Sequence, residues 1–437
     1  MSAGLAALAT ALACWPAWPG YMSYDSLLAW SQSIDGVKTA VWPPLHAYLF
    51  ALSRSAHAGT WGLFLAQTFL LFLGANLALS LVSRRTGGAV ALMLLFMLSF
   101  LWITPQLGIL QTQWRDVTTA SFAVLGLGLW LTGARMRSLA VVVLAALAFG
   151  AAAALRYNSL PLIAFVLALM AWKPFLTDRG QGGAARGFAV AAIGVGLLLA
   201  WGSTQWRLPD LRRLPAGHNA MVTEQFDLIG ISACAGQNLL PAQMTGGRPV
   251  PAAQIRAGYD PRHLNLSLRQ AHLAKLAPSD ANAGLVGAAW RGAAASHPAC
   301  YLRHREAVFE EQMGLKPDHL YYPTHGAIDP NPYGLALAHP RAAAWLNGKI
   351  ISGALPTWRR AYWLYLLALP LALVAGWRNR AQAPLLAALV AGAYVYAGLL
   401  FLAGPAADAR YIFPSNLFCV LAILMSLAAL LPRRVGG

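Results

Sequence analysis

The sequence predicts an all-α polytopic membrane protein with about ten transmembrane helices. Of its 437 residues, 58% are hydrophobic and only 11% are charged, against about a quarter charged in soluble domains. Apolar runs of about 15–22 residues recur along the chain. Each is long enough to cross a hydrocarbon core of about 30 Å, and none shows the alternation of a β-barrel. The arginines and lysines of the short connections fall on one side when the runs are threaded back and forth. That placement also accounts for the formal charge of +17 as orientation signal rather than as a nucleic-acid surface.

Spans are expected near 4–19, 60–82, 88–104, 117–133, 138–155, 158–172, 187–202, 361–376, 383–403 and 411–431. The first has no basic segment before it and reads as a retained span rather than a cleaved signal. Arg84 and Arg85 follow the second span, Arg135 and Arg137 the fourth, and Lys173, Arg179 and Arg186 lie between the sixth and seventh. Arg378 and Arg380 follow the eighth, and Arg433 and Arg434 the tenth. All lie on one side if both termini are cytoplasmic, which puts residues 20–59 and 203–360 on the opposite side.

The first outer loop, 20–59, holds two expected interfacial helices. One is capped by Ser23 and runs to about Ile34, with Tyr24, Leu27, Leu28 and Ser31 along one face. Pro43-Pro44 opens the second, with Leu45, Tyr48, Leu49 and Leu52 on one face. The second outer loop has soluble composition, with helices expected at 264–277, 281–295 and 299–314. The dense prolines and glycines at 205–261 and 322–340 suggest irregular chain there. The division is therefore a seven-span module (1–202) carrying the first outer loop, an outer domain (203–360) and a three-span module (361–437). Cys14 and Cys419 fall inside spans as small apolar groups. Cys234 and Cys300 share the outer loop, where an oxidising compartment would make them a disulfide pair; two free thiols are the other reading.

Charge gathers at one set of span ends: Asp25, Arg115-Asp116, Arg156 and Arg410. Alone, Asp25 can cap a helix, favoured by about 0.3–1 kcal/mol, or act as a general base. Arg115-Asp116 can be a local ion pair, and Arg156 with Asn158 marks a required turn. Three arginines from different spans at one membrane face suit the bidentate geometry of phosphate, hence an anionic lipid substrate. Tyr24, Trp42, Trp114, Tyr157 and Tyr411 lie at the same level, as an aromatic belt does, and one or two of them can also stack on a sugar. No His-Glu-x-x-His, Cys-x-x-Cys, Walker loop or Gly-x-Ser-x-Gly is present, so ATP-driven and serine-hydrolase chemistry have no support.

Several segments resemble those of the bacterial multi-pass GT-C glycosyltransferases: Pro19-Gly-Tyr-Met-Ser-Tyr-Asp25-Ser with Trp42-Pro43-Pro44-Leu-His46, Trp114-Arg-Asp116-Val, Leu155-Arg156-Tyr157-Asn158-Ser, Phe226-Asp227-Leu-Ile-Gly-Ile-Ser and Ala409-Arg410-Tyr411. The resemblance implies an inverting transferase that takes a sugar from a polyprenyl-phosphate carrier at the outer face of an inner membrane. The acceptor would be a hydroxyl of a glycan or glycolipid. Asp25 would be the general base. Arg156 and Arg410, with Arg115, would hold the donor phosphate, and Asp116 would orient an acceptor hydroxyl or a donor-binding arginine. Asn158, Tyr411, Tyr24, Trp42 and His46 would complete the substrate site, and Asp227 would lie on the acceptor side. Many relatives carry two adjacent acids in the first loop; here Ser26 follows Asp25, which weakens the case for a divalent metal at this spot: no cofactor is required, and a divalent metal stays an option that the sequence does not support. An O-antigen polymerase or ligase, relying on arginine and histidine of late loops, and a flippase for lipid-linked sugars are the alternatives. The flippase would place charge inside the membrane rather than at one face.

Overall fold

A computed structural model describes residues 2–36, 38–39, 43–83, 86–173, 182–205, 211–212, 220–277, 279–316, 322–352 and 360–431. Trp42, expected at the substrate site, lies outside the described residues, as do Arg84, Arg85, Arg179, Arg433 and Arg434. The N-terminal part runs α1 (Ser2–Cys14), α2 (Tyr24–Asp35), α3 (Leu45–Ser55), α4 (Trp61–Val82), α5 (Thr86–Trp102), α6 (Thr104–Leu110), α7 (Arg115–Met136), α8 (Leu139–Leu155), α9 (Leu160–Trp172) and α10 (Gly182–Gln205). The segment expected to form an outer domain follows with α11 (Met221–Ala235), α12 (Ala242–Thr245), α13 (Ala252–Gly258), α14 (Leu264–Gln270), α15 (Asp280–Ser296), α16 (Pro298–Met313) and α17 (Pro340–Ser352). The last three helices are α18 (Tyr362–Arg378), α19 (Ala383–Ala403) and α20 (Ala409–Leu430). Among the described residues the named strands are one short parallel pair, Lys38–Thr39 with Leu211–Arg212.

The protein is an all-α polytopic membrane protein. Helices α4, α7, α19 and α20 are long and apolar enough by themselves to cross a membrane. Shorter apolar stretches at Ala3–Ala17, Thr86–Trp102, Leu139–Leu155, Leu160–Trp172, Arg186–Leu198 and Tyr362–Arg378 coincide with the six remaining expected spans. Helices α7 and α20 are the most enclosed: 78% of each apolar window is buried, against 50% for α4 and 56% for α19. They pack on each other and form the centre of the bundle, flanked by α4 and α8 on one side and α18 and α19 on the other. A Cβ on Gly74 would stand 2.5 Å from the Leu125 Cα. The α4 and α7 backbones therefore touch, an approach that small residues permit between membrane helices.

The structure corrects several expectations. Ser23 stands at the N-cap of α2, but its side chain makes no cap hydrogen bond; its Oγ accepts from Trp114 Nε1 at 2.8 Å. The enclosed face of α2 is Ser26, Ala29, Trp30 and Ser33, while Tyr24 is exposed. The enclosed face of α3 is His46, Ala47, Phe50 and Ser53, and Leu52 is exposed. On a helix at a membrane surface, apolar side chains can face lipid, so the apolar stripe does not name the protein-facing side.

The helix expected at 264–277 stops at Gln270. Part of 205–261 is helical, with α11, α12 and α13 inside it, while 322–339 carries no helix, as its prolines and glycines suggest. Pro241 and Pro251 stand immediately before α12 and α13, and Gly236 and Gly246 take left-handed caps after α11 and α12. The prolines and glycines there punctuate short helices rather than dissolve them.

The outer domain has its own core around Phe226, Ile229, Ile255 and Leu264. Cys234 and Cys300 are disulfide-bonded, tying α11 to α16. Arg305 Nη1 donates to the carbonyl of Gly404 at 2.7 Å, and Ala407 N donates to Arg262 O at 2.8 Å. The domain is thereby fixed to the segment that leads into α20.

Candidate functional site

The site is assembled where the first outer loop crosses two other segments. Tyr21 N donates to Gln111 O and Gln113 N to Tyr21 O, both at 2.9 Å. Met22 N donates to Ala327 O at 3.0 Å, and Asp329 N to Met22 O at 2.9 Å. Residues 21–22 thus lie between 111–113 and 327–329 like the middle strand of a minimal sheet. Gly20 makes this crossing possible: its φ is +107°, and a Cβ there would lie 2.7 Å from Gln113 Nε2. Ser26 Oγ donates to Gln113 O at 2.8 Å. With Ser23 held by Trp114, the first turn of α2 is fastened to the start of α7, and Asp25 sits in that turn.

Around Asp25 the expected charges come together. Arg410, in the first turn of α20, bonds Asp25 Oδ2 through Nη1 at 2.8 Å. Its Nε lies 3.2 Å from Asp408 Oδ2, and its guanidinium lies 4.9 Å from the Trp114 ring centre. Arg156, in extended conformation after α8, sets Nη1 at 2.7 and 2.8 Å from the two oxygens of Asp116. Its Nε donates to Asn158 Oδ1 at 3.2 Å. Tyr411 lies 5.0 Å from each guanidinium, so one ring bridges the two ion pairs by cation–π contact. Arg115 is buried beside them and opens α7. Three carboxylates, Asp25, Asp116 and Asp408, thus stand against three guanidiniums, Arg115, Arg156 and Arg410.

Two cavities meet at Asp25 and Arg410. The inner one is a tight crevice without room for a water molecule, lined also by Ser26, His46, Gln113, Trp114, Arg115 and Asp116. The outer one is an open cleft of about 420 Å³ whose walls are Ser23 and Tyr24 from α2, His263 to Arg269 around α14, Tyr322 and Asp329, and Asp408. Burial pushes the Asp25 carboxyl up, but Arg410 above all, then Arg115 and Arg156, outweigh it and hold Asp25 below the ordinary carboxylate range. Burial, helped by Arg115, pushes His46 down to about 3, so its imidazole is neutral. Among the described residues neither ring nitrogen has a hydrogen-bond partner, an arrangement that costs about 1–3 kcal/mol for a buried polar group. Burial raises Asp408 despite Arg410.

Asp227 does not join this group. It is wholly buried in the outer domain, bonded by Arg305 Nη2 at 2.6 Å and Trp290 Nε1 at 2.8 Å, with His304 Nε2 at 3.1 Å. The adjacent basic residues His304-Arg305 in α16 were the sequence signal for that partner. Conversely, Asp408, His263, Asn265, Arg269, Tyr322 and Asp329 border the cleft without having been expected there. Asp408, two residues before Arg410, was the one with a visible signal. Among the described residues no group of three or more His, Cys, Asp or Glu is set to hold a metal ion, and Asp25, Asp116 and Asp408 are each committed to a guanidinium.

The chain is similar to a solved structure, ArnT from Cupriavidus metallidurans bound to undecaprenyl phosphate. The match covers 97% of this chain and 76% of that one, at 14% identity and a TM-score of 0.33. At those values the likeness says nothing of which residue does what. No family model and no curated protein matches the chain.

Proposed function

We propose that this chain is a GT-C-type glycosyltransferase of a bacterial inner membrane, moving a sugar from a polyprenyl-phosphate carrier to a hydroxyl of a periplasmic or lipid-linked glycan. The seven-span module with its first outer loop supplies the base, the three-span module supplies Arg410, and the outer domain 203–360 covers the acceptor side. Both termini are cytoplasmic and the site is periplasmic. The reading is carried by one observation: Asp25, paired with Arg410, stands where a tight arginine-lined crevice meets an open polar cleft of about 420 Å³.

The chemistry follows from that junction. The acceptor hydroxyl lies in the cleft and gives its proton to Asp25. Its oxygen bonds the anomeric carbon as the carbon–oxygen bond to phosphate breaks, and the electron pair leaves on the phosphate. One displacement inverts the anomeric centre. Arg156, Arg410 and Arg115 stabilise the charge that grows on the departing phosphate, and guanidinium forks suit it. Asp116 holds the Arg156 fork in place.

In the resting site Asp25 is a weak base because Arg410 is bound to it. A donor phosphate that draws Arg410 away restores its basicity, so the base is activated when the leaving group is in place.

The test is Asp25→Asn in purified protein in nanodiscs, with transfer from a synthetic polyprenyl-phosphate sugar. Transfer falls at least about 10²-fold, the scale of general-base loss, while protein level and undecaprenyl phosphate binding persist. Turnover near wild type would remove Asp25 as the base and favour polymerase or ligase chemistry.

A further inference from the structure

The outer cleft has a composition of its own. From α14, Asn265 and Arg269 project at the surface, and His263 caps the helix, its Nδ1 accepting from Asn265 N at 2.9 Å. That bond, with burial holding His263 neutral, makes its imidazole the Nε2–H tautomer. Opposite stands Tyr24, 68% exposed, an open aromatic face. Asp329 comes from the segment paired with Met22.

Position in the cleft is fixed rather than loose. His263 pairs antiparallel with Ala406, and Ala407 N donates to Arg262 O at 2.8 Å. The base of α14 is therefore clamped four residues from Arg410.

The cleft's charges decide what can enter. Asp25, Asp329 and Asp408 border it, against Arg269 and Arg410. Arg410 is already shared between Asp25 and Asp408. An anion would meet two carboxylates committed to that one guanidinium and a third at Asp329, whose Oδ1 lies 3.0 Å from His325 Nε2. A hydroxyl-rich ring instead finds acceptors at Asp329 and Asp408, donors at Asn265 and Arg269, and a stacking face at Tyr24. The volume, about 420 Å³, lies in the range of small-molecule sites, about 300–1,000 Å³.

We propose that this cleft is the acceptor site, that it takes an uncharged, hydroxyl-rich glycan end entering from the aqueous side, and that Asn265 and Arg269 of the outer domain select it. The assignment rests on the glycosyltransferase reading above and adds to it the class of acceptor.

The probes are oligosaccharides released from the source cell's envelope by mild acid, split by anion exchange into neutral and acidic fractions, and undecaprenyl phosphate for the donor side. Wild-type protein glycosylates the neutral fraction in preference to the acidic one. Arg269→Ala and Asn265→Ala, both at surface positions, raise the KM for the neutral fraction about tenfold, which is about 1.4 kcal/mol, and leave undecaprenyl phosphate affinity unchanged. Asp329→Asn shifts the preference toward the acidic fraction.

If wild type transfers sugar but both α14 variants keep its acceptor KM, or lose undecaprenyl phosphate affinity instead, the cleft is not the acceptor site. Preference of wild type for the acidic fraction overturns the uncharged class. A wild-type protein that neither binds undecaprenyl phosphate nor transfers sugar overturns the glycosyltransferase reading, and the acceptor site with it.

Discussion

Asp25 and Arg410, 385 positions apart in the chain, are joined by a 2.8 Å ion pair. One belongs to the first turn of an interfacial helix and the other to the first turn of the last span. The pair therefore closes the two ends of the membrane domain onto each other. In the proposed reaction it ties the state of the base to the position of an arginine that would bind the donor phosphate.

The pH dependence of kcat/KM reports this coupling. Arginine charge holds Asp25 below the ordinary carboxylate range, so the wild-type acid limb lies below that range. The sign for stability is the same: a depressed folded pKa contributes stability above the unfolded value, and that stability is lost as pH falls through the folded value. Arg410→Gln removes the strongest lowering charge and leaves the burial that raises Asp25. Its acid limb moves to higher pH, on top of a general loss of rate. An unmoved limb would mean that a group other than Asp25 titrates.

Arg156 reaches both oxygens of Asp116 through Nη1, bonds Asn158 through Nε and lies over Tyr411, so its planar guanidinium is fixed. Arg156→Lys keeps the charge and loses the fork. Affinity for undecaprenyl phosphate falls about tenfold, or 1.4 kcal/mol, and falls further in Arg156→Ala. Equal affinity in the Lys variant and wild type, by titration in nanodiscs, would show that only charge matters there.

Arg305 and Asp227 form a buried pair, with side chains 1% and 0% exposed. Arg305→Met leaves the buried Asp227 carboxylate without its arginine, held only by Trp290 and His304, and costs about 3–5 kcal/mol, whereas Asp227→Leu with Arg305→Met recovers much of that loss. Thermal unfolding of the single and double variants measures this. Additive losses in the double variant would contradict a direct coupling.

The Cys234–Cys300 bridge spans 66 positions, and chain entropy gives it about 4 kcal/mol of stabilisation. Reduction lowers the melting temperature of the outer domain and exposes two thiols. Cys14 and Cys419, both buried, stay unlabelled in the native protein and serve as the internal reference. Two labelled thiols at positions 234 and 300 before reduction would contradict the bridge.

Orientation is checked by fusions. Alkaline phosphatase joined near residue 280 is active and joined after residue 380 is silent, as the placement of short-loop arginines requires. The opposite pattern puts the Asp25 site in the cytoplasm and overturns the donor assignment.

The ten apolar helical stretches were legible because crossing a bilayer needs about 20 apolar residues in one local run, and local composition is what a sequence displays. The charges at the span ends were legible for the same reason: Asp25, Arg115, Asp116, Arg156 and Arg410 interrupt apolar surroundings that give no local reason for charge. Their partners were not. Nothing near Arg156 in sequence says that it will straddle Asp116, 40 positions earlier. Nothing near Asp227 says that Arg305 will meet it inside the outer domain rather than in the cleft. The apolar stripes of α2 and α3 were legible, but not which face the rest of the protein covers, because lipid and protein interior both accept apolar side chains. The α14 wall, with Asn265 and Arg269, was invisible, since its position depends on the backbone pairing of His263 with Ala406. Partition into the membrane is a sum over neighbouring residues and can be read along the chain. The pairing of polar groups depends on where distant backbones meet, and only the tertiary structure decides that.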